Sequence, residues 1–120
     1  MATNRFTQLE VWKFAHQAVL EVYRLTRGFP DDERFVLTSQ MRRAAMSVPA
    51  NIAEGYGRRS PLDKARPYTI GQGSNEELSY YLILARDLGY VKDVDALSER
   101  LDSVGRMLRR LTERTLEAKV

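Results

Sequence analysis

Residues 94–115 read VDALSERLDSVGRMLRRLTERT, and this stretch decides the fold more than any other. Its apolar positions lie alternately three and four residues apart, which is the heptad pattern of a helix that packs along one seam. The seam consists of Val94, Leu97, Leu101, Val104, Leu108, Leu111 and Thr115. Asp93 precedes the seam and is a good capping residue, so the sequence predicts a long amphipathic helix that begins near Asp93.

The same helical spacing predicts a first helix over residues 7–27. Its apolar face consists of Leu9, Trp12, His16, Val19, Tyr23 and Thr26, widened by Ala15 and Val22. Gly28 and Pro30 are expected to end this helix, because glycine suits a left-handed cap and proline cannot continue the hydrogen-bond ladder.

A second helix is predicted to begin at Pro30 and to end at the glycines of residues 55–57. Three acidic residues follow Pro30 and suit the partial positive charge of a helix amino terminus. The apolar stripe of this segment consists of Leu37, Met41, Ala44, Val48 and Ile52. Pro49 lies within the stripe and removes one backbone hydrogen bond, so we expect a kink there.

The start of a third helix is harder to place. Ser60 and Pro61 are typical of a helix start, but Pro67, Gly71 and Gly73 all weaken the helix that would follow. We therefore expect a longer loop after Arg58 or a distorted first turn, a secure helix over residues 74–88, and termination at Gly89.

Four such segments with short connections, and no alternation typical of strands, predict an all-α fold. The expected architecture is an antiparallel up-down four-helix bundle in a single domain over residues 1–120, with its second helix kinked at Pro49. This arrangement buries all four apolar stripes against one another.

Composition excludes several classes of chemistry. The 120 residues include one histidine and no cysteine, so they cannot supply a disulfide, a thiol nucleophile, a thiolate zinc site or a two-histidine metal site. We expect no metal, no cofactor and no enzymatic activity. The longest apolar run, residues 80–85, is far too short for a membrane span, and no signal peptide is evident, so we expect a cytoplasmic protein with no membrane partner.

Charge alternates along the chain although its overall excess is only +3. Residues 1–40 are neutral, residues 41–66 carry +4, residues 67–99 carry −4 and residues 100–120 carry +3. Such alternation is typical of subunits that dock electrostatically, of proteins that attract an anionic partner, or simply of solvated helix faces.

A polar stripe accompanies the apolar one on the second predicted helix. Its members are three or four residues apart and therefore stack along one face. They are Arg43, Ser47, Asn51, Glu54 and Arg58. Two interpretations remain open: a pocket or groove for phosphate or an acidic partner, or a hydrogen-bonded ladder that fixes helix register or a subunit interface.

Arginines form the candidate nucleic-acid contacts. Two adjacent pairs, Arg42 with Arg43 and Arg58 with Arg59, lie about 24 Å apart along a helix, and Tyr56 lies beside the second pair. A second basic face is predicted on the last helix, formed by Arg106, Arg109, Arg110 and Arg114. Adjacent arginines point about 100° apart, so both members of a pair cannot serve one surface equally.

Other potential sites are weaker. The glycines at positions 55, 57, 71 and 73 follow no strand and precede no Gly-Lys-Ser/Thr, so a phosphate-binding loop is not indicated. Glu76, Glu77 and Asp87 are interpreted as helix-surface acids. His16 lies on an apolar face and is interpreted as a core or interface residue. No nucleophile with a base and an orienting group can be assembled.

The most specific motif occupies residues 40–58, which read QMRRAAMSVPANIAEGYGR. It is accompanied by FTQLEVWKFA at 6–15, VYRLTRGFPDDE at 22–33, GSNEEL at 73–78 and ARDLGY at 85–90. Together these segments resemble the four-helix-bundle proteins encoded in intervening sequences of bacterial large-subunit (23S) rRNA genes.

The resemblance implies an antiparallel four-helix bundle that assembles into a homopentamer. The family is also similar to the accessory subunit of diversity-generating retroelements, a basic bundle that binds a reverse transcriptase and nucleic acid. The motif positions carried over as functional or assembly residues are Arg42, Arg43, Asn51, Glu54 and Arg58. Lys64, Pro67 and Gly71 depart from the family pattern.

The leading hypothesis is a non-enzymatic homo-oligomer that binds RNA or another nucleic acid through arginine-rich helix faces. The alternative is a protein-interaction scaffold, such as a reverse-transcriptase accessory subunit, whose arginines pair with acidic faces of partners.

Overall fold

In a computed structural model of the chain, residues 5–118 are described, and they form four α-helices and no strand. The helices are α1 (Glu10–Thr26), α2 (Leu37–Gly57), α3 (Pro61–Asp87) and α4 (Asp95–Glu117). Each helix packs against the next one in sequence and α4 packs back against α1, whereas the diagonal pairs do not pack. The predicted all-α, antiparallel up-down bundle is therefore confirmed, with overall dimensions of 49 × 28 × 23 Å.

The apolar core consists of two clusters stacked along the bundle axis. One cluster joins the start of α1, the end of α2, the start of α3 and the end of α4, and it contains Val11, Ala15, Val48, Ile52, Tyr68, Val104 and Leu108. The other joins the opposite halves of the same helices and includes Val22, Met41, Leu78, Leu82, Leu97 and Leu101. In each cluster the start of one helix packs against the end of the next. Consecutive helices therefore run antiparallel.

The first connection differs from its prediction. A short 3₁₀ turn, Asp31–Glu33, takes the place of the predicted helix start, and α2 begins only at Leu37, because Val36 leaves the helical region with φ −119° and ψ −95°. The acidic residues still serve the helix amino terminus, since Glu33 accepts a hydrogen bond from the Leu37 amide at 3.4 Å. Gly28 was expected to be left-handed, which is wrong, because Gly89 is the residue with positive φ within 5–118.

The expectation of a long loop or distorted start for α3 is wrong. Helix α2 ends at Gly57 as predicted, and only three residues separate it from the start of α3 at Pro61, where Ser60 Oγ accepts from the Asp63 amide at 3.1 Å. The helix continues through Pro67, which is buried and lacks the N–H that would have bonded the carbonyl of Asp63. The predicted kink at Pro49, inside α2, stays a prediction.

Gly71 permits close helix packing rather than weakening α3. A Cβ at this position would lie 3.4 Å from both the Asn51 Cβ and the Leu108 Cδ2. The absent side chain therefore lets α3 approach its two neighbours at the middle of the bundle.

The end of α3 follows its prediction. Gly89 has φ +81°, and the Tyr90 and Gly89 amides donate to the carbonyls of Ala85 and Arg86, which is the Schellman arrangement. The N-cap of the following helix is Val94, one residue later than predicted, and Asp93 accepts a hydrogen bond from the Asp95 amide at 3.0 Å. None of the described helices is long and apolar enough to cross a membrane.

Candidate nucleic-acid interface

Ser47 and Asn51, the middle of the predicted polar stripe, form an interhelical hydrogen-bond group. The Ser47 hydroxyl lies 2.7 Å from the Ser74 hydroxyl on α3, and the Asn51 amide nitrogen donates to the Ser47 carbonyl at 2.8 Å and to its hydroxyl at 3.0 Å. Both side chains are half-buried between α2 and α3. Their contacts are those of a register-fixing ladder.

Sequence reasoning missed the continuation of this polar layer into α4. Asn75, 2% exposed, donates from Nδ2 to the Leu101 carbonyl at 2.9 Å, and Gln72 donates from Nε2 to the Gly105 carbonyl at 3.1 Å. The available sequence signal was the position of Asn75, one helical turn before Leu78 on the predicted apolar face of the third helix. The layer separates the two core clusters and ties α3 to both of its neighbours.

The Arg42 side chain packs against α1. Its Nε donates to the Thr26 hydroxyl at 2.9 Å, and its guanidinium lies over the Tyr23 ring, 4.5 Å from the centroid. Arg43, the adjacent residue, is exposed. The structure therefore separates the two members of this pair, as expected for neighbours on a helix.

The two arginine pairs of α2 do not share one surface. Arg42 and Arg58 are sixteen residues apart, which places them about 160° apart around the helix axis. Arg58 forms an exposed ion pair with Glu54 on its own helix, and Arg59 lies exposed just beyond the helix end. Arg43 is the member of the first pair that lies on the same side as Arg58.

Lys64 contributes positive charge to this end of the bundle but is held by the fold. Its ammonium donates to the Tyr56 carbonyl at 2.7 Å and to the Gly55 carbonyl at 3.5 Å, which satisfies the last turn of α2. It also lies over the Tyr56 ring, 5.5 Å from the centroid. We therefore assign Lys64 a structural role.

The arginines of α4 form a broad exposed surface. Arg109 lines a groove with Thr69 and Gln72 of α3, whereas Arg110 and Arg114 line a groove with the first turn of α1. Arg106 donates to Ser103 at 3.3 Å. Within residues 5–118, none of these four arginines forms an ion pair, so their charges are available to an external anion.

Folding converts the alternating charge blocks of the sequence into an axial separation of charge. One half of the bundle, residues 5–17, 48–74 and 105–118, holds ten basic and five acidic side chains, a balance of +5. The other half, residues 18–47 and 75–104, holds eight basic and eleven acidic side chains, a balance of −3. These are called the basic half and the acidic half below.

The remaining candidates are surface or packing groups. Glu76, Glu77 and Asp87 are exposed, and His16 stacks on Trp12 with ring centroids 4.9 Å apart. No group of residues within 5–118 is arranged to hold a metal ion.

Three tyrosines have a raised pKa. A hydrogen bond from its hydroxyl to Glu77 raises the pKa of Tyr81, and one to Glu33 raises the pKa of Tyr90. Burial raises the pKa of Tyr68, which fills the core of the basic half. All three are therefore neutral side chains at physiological pH, and two of them stabilise the fold as hydrogen-bond donors.

Comparison with known proteins identifies a family and supports the fold. A model of the 23S rRNA-intervening sequence protein family matches residues 7–110. A crystal structure of a protein of unknown function from the S23 ribosomal protein family of Bacteroides thetaiotaomicron matches with a TM-score of 0.79 and 19% identity, covering 86% of this chain and 95% of that one. At that identity the likeness concerns the fold. No curated protein matches the sequence.

Proposed function

Because the chain belongs to the 23S rRNA-intervening sequence protein family, we propose that it binds RNA, without catalysis, through the arginine surface of its basic half. The surface consists of Arg58, Arg59, Arg106, Arg109, Arg110 and Arg114. Arginine suits this role because its fork of N–H donors matches phosphate geometry and its charge persists at any physiological pH.

The separation of charge along the bundle carries the proposal. The basic half has a balance of +5 and concentrates it on exposed arginines, whereas the acidic half would repel a polyanion. An RNA chain approaching the molecule is therefore steered to one end. Guanidinium is in general a poor acid–base catalyst, so a surface built from arginines fits binding rather than acid–base chemistry.

We further propose that the protein acts as a homo-oligomer, with the family's pentamer as the expected form. Helix α3 supports this, because it exposes large apolar side chains to solvent. Leu62, Ile70 and Tyr80 are 59%, 56% and 56% exposed, respectively. A second copy packed on α3 would bury them.

The alternative proposal is a protein-interaction scaffold, including a reverse-transcriptase accessory subunit. The acidic half favours it, because a balance of −3 on one copy complements the basic half of another or a basic partner protein. In this alternative the arginines contact carboxylates instead of phosphates.

Salt dependence of RNA affinity tests the leading proposal. We expect a structured rRNA fragment to bind at low salt and its affinity to fall steeply as salt rises, because each neutralised phosphate releases counterions. Fluorescence anisotropy of a labelled fragment between 50 and 200 mM salt, roughly the range over which this release is large, gives the slope. Absence of binding at low salt, or affinity indifferent to salt, would remove the proposal.

A further inference from the structure

A second concentration of arginines lies in the acidic half, where the proposed RNA surface does not extend. Arg27, Arg34 and Arg42 line one cleft at the junction between the end of α1 and the start of α2. They come from three different segments, so the fold, and not the sequence spacing, brings them together. The cleft has a volume of about 180 Å³.

The three guanidinium groups are not neutralised by the protein. The ion pairs among residues 5–118 join Lys13 to Glu10, Arg58 to Glu54, Arg86 to Asp87 and Arg100 to Glu21, and none involves an arginine of the cleft. One carboxylate, that of Asp31, lines the cleft as well. The cleft therefore keeps an excess of two positive charges.

Arg42 is fixed in place before any ligand arrives. Its Nε bond to the Thr26 hydroxyl and its position over the Tyr23 ring restrain the side chain, and neither terminal nitrogen has a hydrogen-bond partner among residues 5–118. Thr26 is only 3% exposed and is itself held by the Val22 carbonyl at 2.7 Å. Binding an anion here would require little further ordering of Arg42.

Thr38 is a second, independent indication of a ligand. The residue is 8% exposed and lines the cleft, and its hydroxyl, which makes no hydrogen bond within residues 5–118, is accessible from the cleft rather than fully buried. It is also the second residue of α2, so its backbone N–H has no acceptor within the helix. Both groups can donate to an oxyanion at the amino terminus of α2, where the Glu33 carboxylate already accepts from the neighbouring Leu37 amide.

We propose that this cleft binds a phosphate group, either as the free ion or as a phosphate monoester. Its volume lies below the range of about 300 to 1,000 Å³ usual for larger organic ligands, which favours a small oxyanion. Terminal guanidinium nitrogens and the Thr38 hydroxyl supply charged and neutral donors suited to tetrahedral oxygens. The site is independent of the RNA-binding proposal, because it lies in the other half of the molecule.

Calorimetric titration at constant ionic strength in chloride buffer tests the site. The probes are inorganic phosphate, adenosine 5′-monophosphate and adenosine, which distinguish a free ion from a monoester and both from nucleoside binding. We expect phosphate or the monophosphate, but not adenosine, to bind the wild-type protein. We expect Arg34→Gln and Arg27→Gln each to weaken binding about tenfold or more, because each removes a charge-assisted hydrogen bond.

Two control variants locate the binding. Arg43→Gln changes the same charge beside the cleft, and Arg110→Gln changes it on the proposed RNA surface, so both should leave phosphate affinity within about twofold. Arg27 and Arg34 are exposed, so their variants should fold, and Arg34→Gln should leave RNA affinity nearly unchanged. The proposal is overturned if neither phosphate probe binds, if adenosine binds equally well, or if only Arg110→Gln weakens binding.

Discussion

Replacing Gly55 by alanine is expected to lower the free energy of unfolding by about 2 kcal/mol or more, the largest stability loss expected for a single added methyl group in this chain. A Cβ at Gly55 would lie 2.4 Å from the Tyr68 Cε1, 2.6 Å from its Cδ1 and 2.9 Å from the Lys64 carbonyl oxygen. The Tyr68 ring is 2% exposed and the carbonyl is backbone, so neither can move cheaply.

The added methyl therefore forces α2 and α3 apart where Gly55 lies against the Tyr68 ring. Alanine has a higher helix propensity than glycine, which offsets about 1 kcal/mol of this steric cost. The measured change in the free energy of unfolding is the net of the two effects. Urea denaturation followed by circular dichroism measures it.

Gly73→Ala is the matched control. Gly73 lies inside α3, is exposed, and has no atom within 4 Å of an added Cβ. Alanine should therefore raise the free energy of unfolding by about 0.5 to 1 kcal/mol through helix propensity alone. If Gly55→Ala were as stable as Gly73→Ala, the close α2–α3 contact described here would be wrong.

The second large effect concerns binding. Replacing Arg109, Arg110 and Arg114 together by glutamine is expected to weaken binding of a structured RNA roughly a hundredfold at low salt and to reduce the salt slope by about 2 to 3. Arginine and glutamine have similar helix propensities, and these side chains are exposed, so the fold should persist. Fluorescence anisotropy gives both quantities.

A triple variant of Arg24, Arg86 and Lys92 to glutamine removes the same charge from exposed positions of the acidic half. It should bind RNA within about threefold of the wild type. Both triple variants lose the same net charge, so the difference between them reports where on the molecule the charge is needed. Equal weakening by both triple variants would indicate a non-specific charge effect. Light scattering on both completes the test, since loss of the oligomer in the first variant would favour the scaffold alternative.

Sequence periodicity predicted the bundle because its evidence is local and repeated. The seam from Val94 to Leu108 recurs every three or four residues, and all five of its members are buried. The ends of α2 and α3 were likewise predictable from glycines, of which Gly89 adopts the left-handed conformation that ends a helix.

Helix breakers misled the sequence analysis where tertiary packing determined the outcome. Pro67 and Gly71 count against a helix in isolation, yet α3 runs through both. Pro67 is buried in the packing of the bundle, and Gly71 permits close contact with α2 and α4. Neither compensation can be seen without knowing which helices lie alongside.

The arginines show which features of the candidate site could not be predicted from sequence spacing. Spacing alone treated Arg42 and Arg43 as a pair, but Thr26 and Tyr23 of α1 hold the first and leave the second exposed. The cleft of Arg27, Arg34 and Arg42 was likewise invisible, because it is assembled from a helix end, a connection and a second helix.

The most direct test of RNA binding by the basic half is ultraviolet crosslinking of the tagged protein in the cells that naturally produce it, followed by mass spectrometry of crosslinked peptides. We predict that RNA is recovered, and that the crosslinks fall within residues 48–74 and 105–118, near Tyr56 and the α4 arginines. Recovery of protein partners without RNA, or crosslinks confined to residues 18–47 and 75–104, would contradict this account.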